Sequence, residues 1–132
     1  MNNKGFTLIE LIATIALLSI IVVISFVSIN KVLDQSKTND CNSLVSSIKS
    51  SAKDYVSDNR YNNEFVKKVN NYKVTINADT LTTSNYLTSP IINPYTKEEI
   101  TASTITINIE LYNNYTVKTV TVTAPDVLKE CK

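Results

Sequence analysis

The hydrophobic pattern changes character several times along the chain. Residues 11–29 carry no charge and consist of aliphatic side chains, Phe26, alanines and a few Ser or Thr. As a helix this run is about 28 Å long, close to the thickness of a bilayer core, so it predicts a membrane span. A buried helix of a soluble protein would need most of a small domain wrapped around it. Farther on, Cys41, Leu44, Val45, Ile48, Ala52, Tyr55 and Val56 recur at three- and four-residue steps, with Lys49, Lys53, Asp54 and serines between them. That is one apolar stripe on an otherwise wet helix. After Gly5 no glycine or proline occurs until Pro90, so a single helix over residues 6–59 is expected. The turn-forming run Asp58-Asn59-Arg60-Tyr61-Asn62-Asn63 should end it. The stripe needs a cover, and a sheet from the same chain is the expected one.

The remaining pattern supplies that sheet. Residues 64–69 read as a short helical turn and residues 72–77 alternate as a strand. Residues 85–97 hold Pro90 and Pro94 and read as a loop with two restricted backbones. Residues 104–112 place Ile105, Ile107, Ile109 and Leu111 on one face, the signature of a half-buried strand. Asn113-Asn114 suits a two-residue hairpin turn because Asn tolerates positive φ. The returning strand, residues 115–123, shifts phase between Val117 and Val120, which predicts a bulge or two buried faces. The expected fold is α+β: a long N-terminal helix whose second half packs against a small antiparallel sheet.

Composition narrows the function classes. At 132 residues there is room for one domain plus an anchor. A net charge of +1 with 19% charged residues gives no strong field toward nucleic acid. Histidine is absent, which removes the commonest general base and transition-metal ligand. Two cysteines without histidine make neither a zinc site nor a cysteine-protease pair, so no enzyme, metal, cofactor or small-molecule substrate is expected. Asp79, Glu98 and Glu99 are candidate calcium ligands, but their spacing fits no defined calcium loop and a solvated surface is the preferred reading. Lys67, Lys68 and Lys73 make a basic patch too short to argue for DNA binding. Gly5 is the sole glycine, so Asn and Asp should take most left-handed turn positions.

That glycine sits directly before the apolar span, where a protease would need a small residue. An ordinary secretory signal would instead have a shorter apolar core followed by a small-x-small site. Glu10 lies at the start of the span, although a carboxylate costs about 2.5–3.5 kcal/mol at the centre of a membrane helix and less near its end. The helix dipole tolerates an acid there. A cationic partner would explain it better, and cutting after Gly5 would create one in the α-amine of Phe6. The two groups are one helical turn apart, so they pair within one chain or between axially offset neighbours.

The run Lys4-Gly5-Phe6-Thr7-Leu8-Ile9-Glu10-Leu11 resembles the prepilin cleavage and methylation motif of type IV pilins and pseudopilins. The resemblance, with the span, covers about a quarter of the chain. It implies cleavage by prepilin peptidase between Gly5 and Phe6, N-methylation of Phe6 and subunit docking through Glu10. Many Gram-negative members carry a helix-breaking proline near the position of Val27. This chain has none, which predicts a straighter helix.

Cys41 and Cys131 would both lie outside the cytoplasm after insertion, where disulfides persist. A bridge would close a loop of about 90 residues, worth up to about 4.6 kcal/mol by chain entropy. Two separate thiols, with Cys41 buried as a small hydrophobe, is the alternative. The expected organisation is a leader at 1–5, a transmembrane assembly segment at 6–30 and an extracytoplasmic head at 31–132. The expected function is a structural subunit of a type IV pilus-like filament, whose partners are other copies or related subunits, prepilin peptidase, an assembly platform and the membrane. It would move from single-pass membrane precursor to extracellular pilus. The alternative is a non-polymerising, single-pass membrane-anchored binding protein, which predicts a retained leader and an indifferent Glu10.

Overall fold

The computed structural model describes residues 5–124 and Leu128. The elements run α1 (Leu8–Asn59), α2 (Asn63–Lys68), β1 (Lys73–Asn77), α3 (Ala78–Thr83), β2 (Ile91–Ile92), β3 (Glu99–Ile100), a 3₁₀ turn (Ala102–Thr104), β4 (Thr106–Leu111) and β5 (Val117–Thr123). The chain divides into two compact units, Met1–Ser36 and Lys37–Lys132. Its architecture is α+β, a long N-terminal apolar helix with a small antiparallel sheet packed on it.

In the first unit α1 is continuous and unbroken at residue 27. Every side chain described there is exposed. The hydroxyls inside the apolar run are satisfied by the helix itself. Thr14 donates to the Leu11 carbonyl at 2.8 Å, Ser19 to Ile15 at 2.7 Å, Ser25 to Ile21 at 2.7 Å and Ser28 to Ile24 at 3.3 Å. Such back-bonding leaves no hydroxyl hydrogen to be solvated in an apolar medium.

The second unit holds the core. The helix stripe lies as expected, with Cys41, Ile48, Ala52 and Val56 fully buried and Leu44, Val45 and Tyr55 half-buried. Ile48, Ala52 and Val56 pack in one cluster with Val74, Ile76, Ile105, Ile107, Ile109 and Leu111 from the sheet side. Each fully buried Ile contributes about 1.5–3 kcal/mol of transfer free energy. The sheet order is β1-β4-β5, all antiparallel, with Val74 opposite Ile109 and Ile76 opposite Ile107. The expected bulge is present: Glu110 pairs with Thr119 and Leu111 with Val117, leaving Lys118 as the extra residue.

Asn59 ends α1, its side-chain amide donating to the Tyr55 carbonyl at 2.9 Å. Asn62 then caps α2 by accepting from the Glu64 backbone N–H at 2.8 Å. Beneath it Tyr55 meets Phe65 and Tyr86 edge-on, at ring distances of 6.0 and 5.5 Å.

Several expectations require correction. The segment expected to be a loop contains β2, which pairs with β3 to form a second, two-stranded sheet. Asn93 organises that hairpin: it is buried, its Oδ1 accepts from the Tyr95 N–H at 2.8 Å, and its own N–H donates to the Glu98 carbonyl at 2.8 Å. Helix α3 was not expected; it buries Ala78 and Leu81, three residues apart, in too few turns for a period to register. The β4–β5 loop is not a two-residue turn. Tyr115 donates to the Tyr112 carbonyl at 2.9 Å and Tyr112 to Thr116 at 2.8 Å, and the left-handed residue is Tyr115 (φ 60°) rather than Asn113 or Asn114. This three-residue loop is the other common hairpin closure. Among the described residues, left-handed positions fall to Asn71, Tyr72, Asn85, Lys97 and Tyr115, so Asn and Asp do not take most of them.

Candidate processing and assembly site

The site begins with the backbone around Gly5. Residues 5–7 are non-helical and exposed, and α1 starts at Leu8 rather than at the expected Phe6. The Gly5–Phe6 peptide therefore lies in open chain before the first helical turn, and the Phe6 side chain is 82% exposed. A Cβ on Gly5 would meet nothing within 4 Å, and its φ is not positive. Nothing in the described fold of this chain requires a glycine there.

The helix start is built by Thr7 and Glu10. The Thr7 backbone N–H donates to Glu10 Oε2 at 2.9 Å, and the Thr7 hydroxyl donates to the same oxygen at 2.9 Å. The Glu10 backbone N–H reaches back to Thr7 Oγ1 at 3.4 Å, and Leu11 N–H donates to the Thr7 carbonyl at 3.2 Å. With Leu8 as the first helical residue, Thr7 is the N-cap and Glu10 the third position, the T-x-x-E capping box. It satisfies orphan donors of the first turn and places the carboxylate at the positive end of the helix dipole. Thr7 is the residue that sequence reasoning overlooked, although the T-x-x-E spacing was there to be read. In the uncleaved chain the Glu10 carboxylate therefore has a partner other than a terminal amine.

Beyond Glu10 the helix presents an apolar stretch with a mean hydropathy of 2.8, none of it buried, long enough to cross a membrane. Residues 1–26 match the prokaryotic N-terminal methylation motif. That motif is the signature of type IV pilin and pseudopilin precursors. Residues 1–26 thus carry the signature of precursors that prepilin peptidase processes, and the apolar N-terminal helix fits a membrane-anchored form. The motif points to a structural subunit rather than an enzyme. No curated protein and no solved structure matches the chain.

The other candidate residues fall out as follows. Cys41 is fully buried on the α1 stripe, and Cys131 lies outside the described residues. Leu128, three positions before Cys131, is buried. Asp79 lies in the first turn of α3 and Glu99 begins β3, with Glu98 just before it; among the described residues no three carboxylates or cysteines converge to hold a metal. The basic patch is not a free one, because Lys73 is ion-paired with Glu110 at 3.0 Å while Lys67 and Lys68 end α2.

Proposed function

We propose that this pilin-like precursor is cut between Gly5 and Phe6, N-methylated on Phe6 and polymerised from the membrane into a type IV pilus-like filament, with Glu10 as the docking carboxylate. The observation that carries the reading is the juxtaposition at the N-terminus. An exposed, non-helical Gly5–Phe6 bond precedes a capped helix whose apolar face has no cover from its own chain. The unconstrained surroundings of Gly5 support assigning its small size to the peptidase rather than to folding. Cleavage would turn the Phe6 amide into a cation one turn from Glu10, and an amine of a neighbouring subunit would compete with Thr7 for that carboxylate. A pairing satisfied between subunits favours ordered stacking over random clustering of apolar helices.

In this reading residues 1–5 are the leader, 6–30 the transmembrane assembly segment and 31–132 an extracytoplasmic head that forms the filament surface. The head is closed by a Cys41–Cys131 disulfide, which the full burial of Cys41 and the buried Leu128 support. The partners are other copies or related subunits, prepilin peptidase and an assembly platform.

Intact-mass measurement of chain recovered from the producing cell, with and without reduction and alkylation, tests all of this together. The expected mass lacks residues 1–5, carries one added methyl and shows no alkylation before reduction. A full-length unmethylated chain sinks the processing, and two alkylated thiols without reduction sink the bridge. Glu10→Ala is expected to leave cleavage intact and to reduce incorporation into sheared filaments beside wild-type subunits. Normal incorporation would remove Glu10 from docking.

A further inference from the structure

The end of α1 and the start of β5 build a second site, away from the membrane-embedded end of the sequence. Lys53, Ser57 and Arg60 succeed one another at four- and three-residue steps, which places them along one side of the helix and its exit. Facing them across a hollow of about 330 Å³ are Tyr115, Val117 and Lys118, with Asp54 completing the charged lining. In a regular strand Val117 and Lys118 would point to opposite faces. Both line this hollow, and Lys118 is the extra residue of the β5 bulge. Re-aiming a side chain in this way is what bulges beside binding sites do.

The cations are not consumed by the fold. Among the described residues the ion pair is Lys73–Glu110, and none of Lys53, Arg60 and Lys118 forms one. Glu110 is the acid that feels the charge of Lys118, but its carboxylate is held by Lys73 and Thr119. The Arg60 guanidinium lies over the Tyr61 ring at 4.8 Å, which limits its orientations, and its buried Nε has no hydrogen-bond partner. A buried donor left unmade is costly, so a ligand that orders this guanidinium has something to gain. The Thr116 hydroxyl hydrogen is already given to Asn114 Oδ1 at 2.6 Å, whereas the Ser57 hydroxyl has no such commitment.

Three cations and one carboxylate leave the lining with a net charge of two positive units. The geometry points to a binding site for a dianionic phosphate group, either inorganic phosphate or a phosphomonoester, held by Arg60 in forked hydrogen bonds and by Lys53 and Lys118 as point charges. Guanidinium and ammonium groups suit this division of roles, since the planar fork matches two oxygens at once. At pH 7.5 a phosphomonoester is largely dianionic, with a second pKa of about 6. A phosphodiester carries one charge and would leave the lining half neutralised. This site is independent of processing and assembly and would be present in precursor and mature chain alike.

The test is a titration of the full-length chain in maltoside micelles at pH 7.5 and constant ionic strength, followed by amide NMR shifts. The probes are inorganic phosphate, glycerol 1-phosphate and dimethyl phosphate, with sodium chloride as the screening control. The expected result is saturable shifts of the amides at 53–60 and 115–118 with the two dianionic probes, and at least tenfold weaker binding of dimethyl phosphate. Equal affinity for the first two probes would assign recognition to the phosphate alone, whereas tighter glycerol 1-phosphate would add its carbon chain to the site. Arg60→Gln and Lys118→Gln are each expected to weaken phosphate binding about tenfold or more, while Lys67→Gln leaves it unchanged. Arg60→Lys keeps the charge but removes the fork, and it should bind between wild type and Arg60→Gln. Non-saturating shifts, shifts reproduced by sodium chloride, or unchanged affinity in both Gln variants would overturn the assignment.

Discussion

The two halves of α1 are one continuous helix with opposite surroundings. Up to residue 36 every described side chain is exposed, including Ile12, Ile15, Ile20, Ile21 and Ile24. Past it, Ile48 is fully buried by protein, at 0% relative exposure. Hydrophobicity does not separate them, since the exposed half is the more apolar of the two. What separates them is arrangement. Over residues 11–29 the first half is apolar all round, which suits a medium or a bundle that covers every side. The second offers one stripe, and one sheet suffices to cover it.

Substitution of matched isoleucines should produce the largest difference between these halves. Ile48→Ala opens a cavity in the packed core, and such truncations cost about 2–5 kcal/mol. Against a typical stability of about 5–15 kcal/mol for a domain, that is a large fraction. Ile20→Ala removes a side chain with no cover in its own chain and should leave head stability within about 0.5 kcal/mol of wild type. Urea unfolding of the full chain in micelles, followed by tyrosine fluorescence, reports the head alone, because all the tyrosines lie beyond residue 50. Equal losses in the two variants would mean that the halves are not energetically separate.

How far the sequence showed this division depends on how many residues repeat a signal. The helix stripe and the isoleucines of β4 repeat often enough to be read directly; the phase shift between Val117 and Val120 left a bulge or two buried faces open, and the structure places a bulge at Lys118. Helix α3 and the β2–β3 pair are too short to express a period. Tyr72 and Tyr115 took left-handed positions against their local preference, and their rings meet at 6.3 Å. Tertiary packing of that kind is invisible to residue-by-residue turn rules. At the N-terminus the Gly5, Phe6 and Glu10 pattern is legible in the sequence, whereas a future amine at Phe6 accounts for Glu10 without Thr7, and it is the structure that shows the cap. The cluster of Lys53, Arg60 and Lys118 needed the structure, since a helix end and a distant strand supply it.

Thr7→Ala sharpens the comparison at the exposed end. An N-cap substitution to Ala costs about 1 kcal/mol, roughly a fivefold change in local opening. Amide exchange at Glu10 and Leu11, whose N–H groups bond to Thr7, should accelerate in micelles by about that factor, while exchange at 48–56 in the head stays unchanged. Acceleration in the head as well would show that the two halves of α1 open together. No acceleration at residues 10–11 would mean that the capping box does not hold the first turn.

The smallest effect is expected on the head surface, where charge rather than packing is at work. Lys73 and Glu110 face each other across β1 and β4 at 3.0 Å, with side chains 69% and 42% exposed. The hydrogen bond from Lys73 holds the Glu110 carboxyl below its ordinary range, helped by the Thr119 hydroxyl at 3.2 Å and by the charge of Lys73. A carboxylate whose folded pKa is depressed contributes stability that is complete above its unfolded pKa, about 4.3. That contribution is lost as pH falls through the lower, folded value. Glu110→Gln should therefore be slightly less stable than wild type at pH 7, with the gap closing as both are acidified below about pH 4. Solvent screening keeps the gap small, and added salt should shrink it further. Urea midpoints at pH 7 and pH 3 in low and high salt measure both trends. A gap that widens toward acid would reverse the sign argued here, and one indifferent to salt would assign the pair to packing, bringing this edge of the head closer to the rule that governs Ile48.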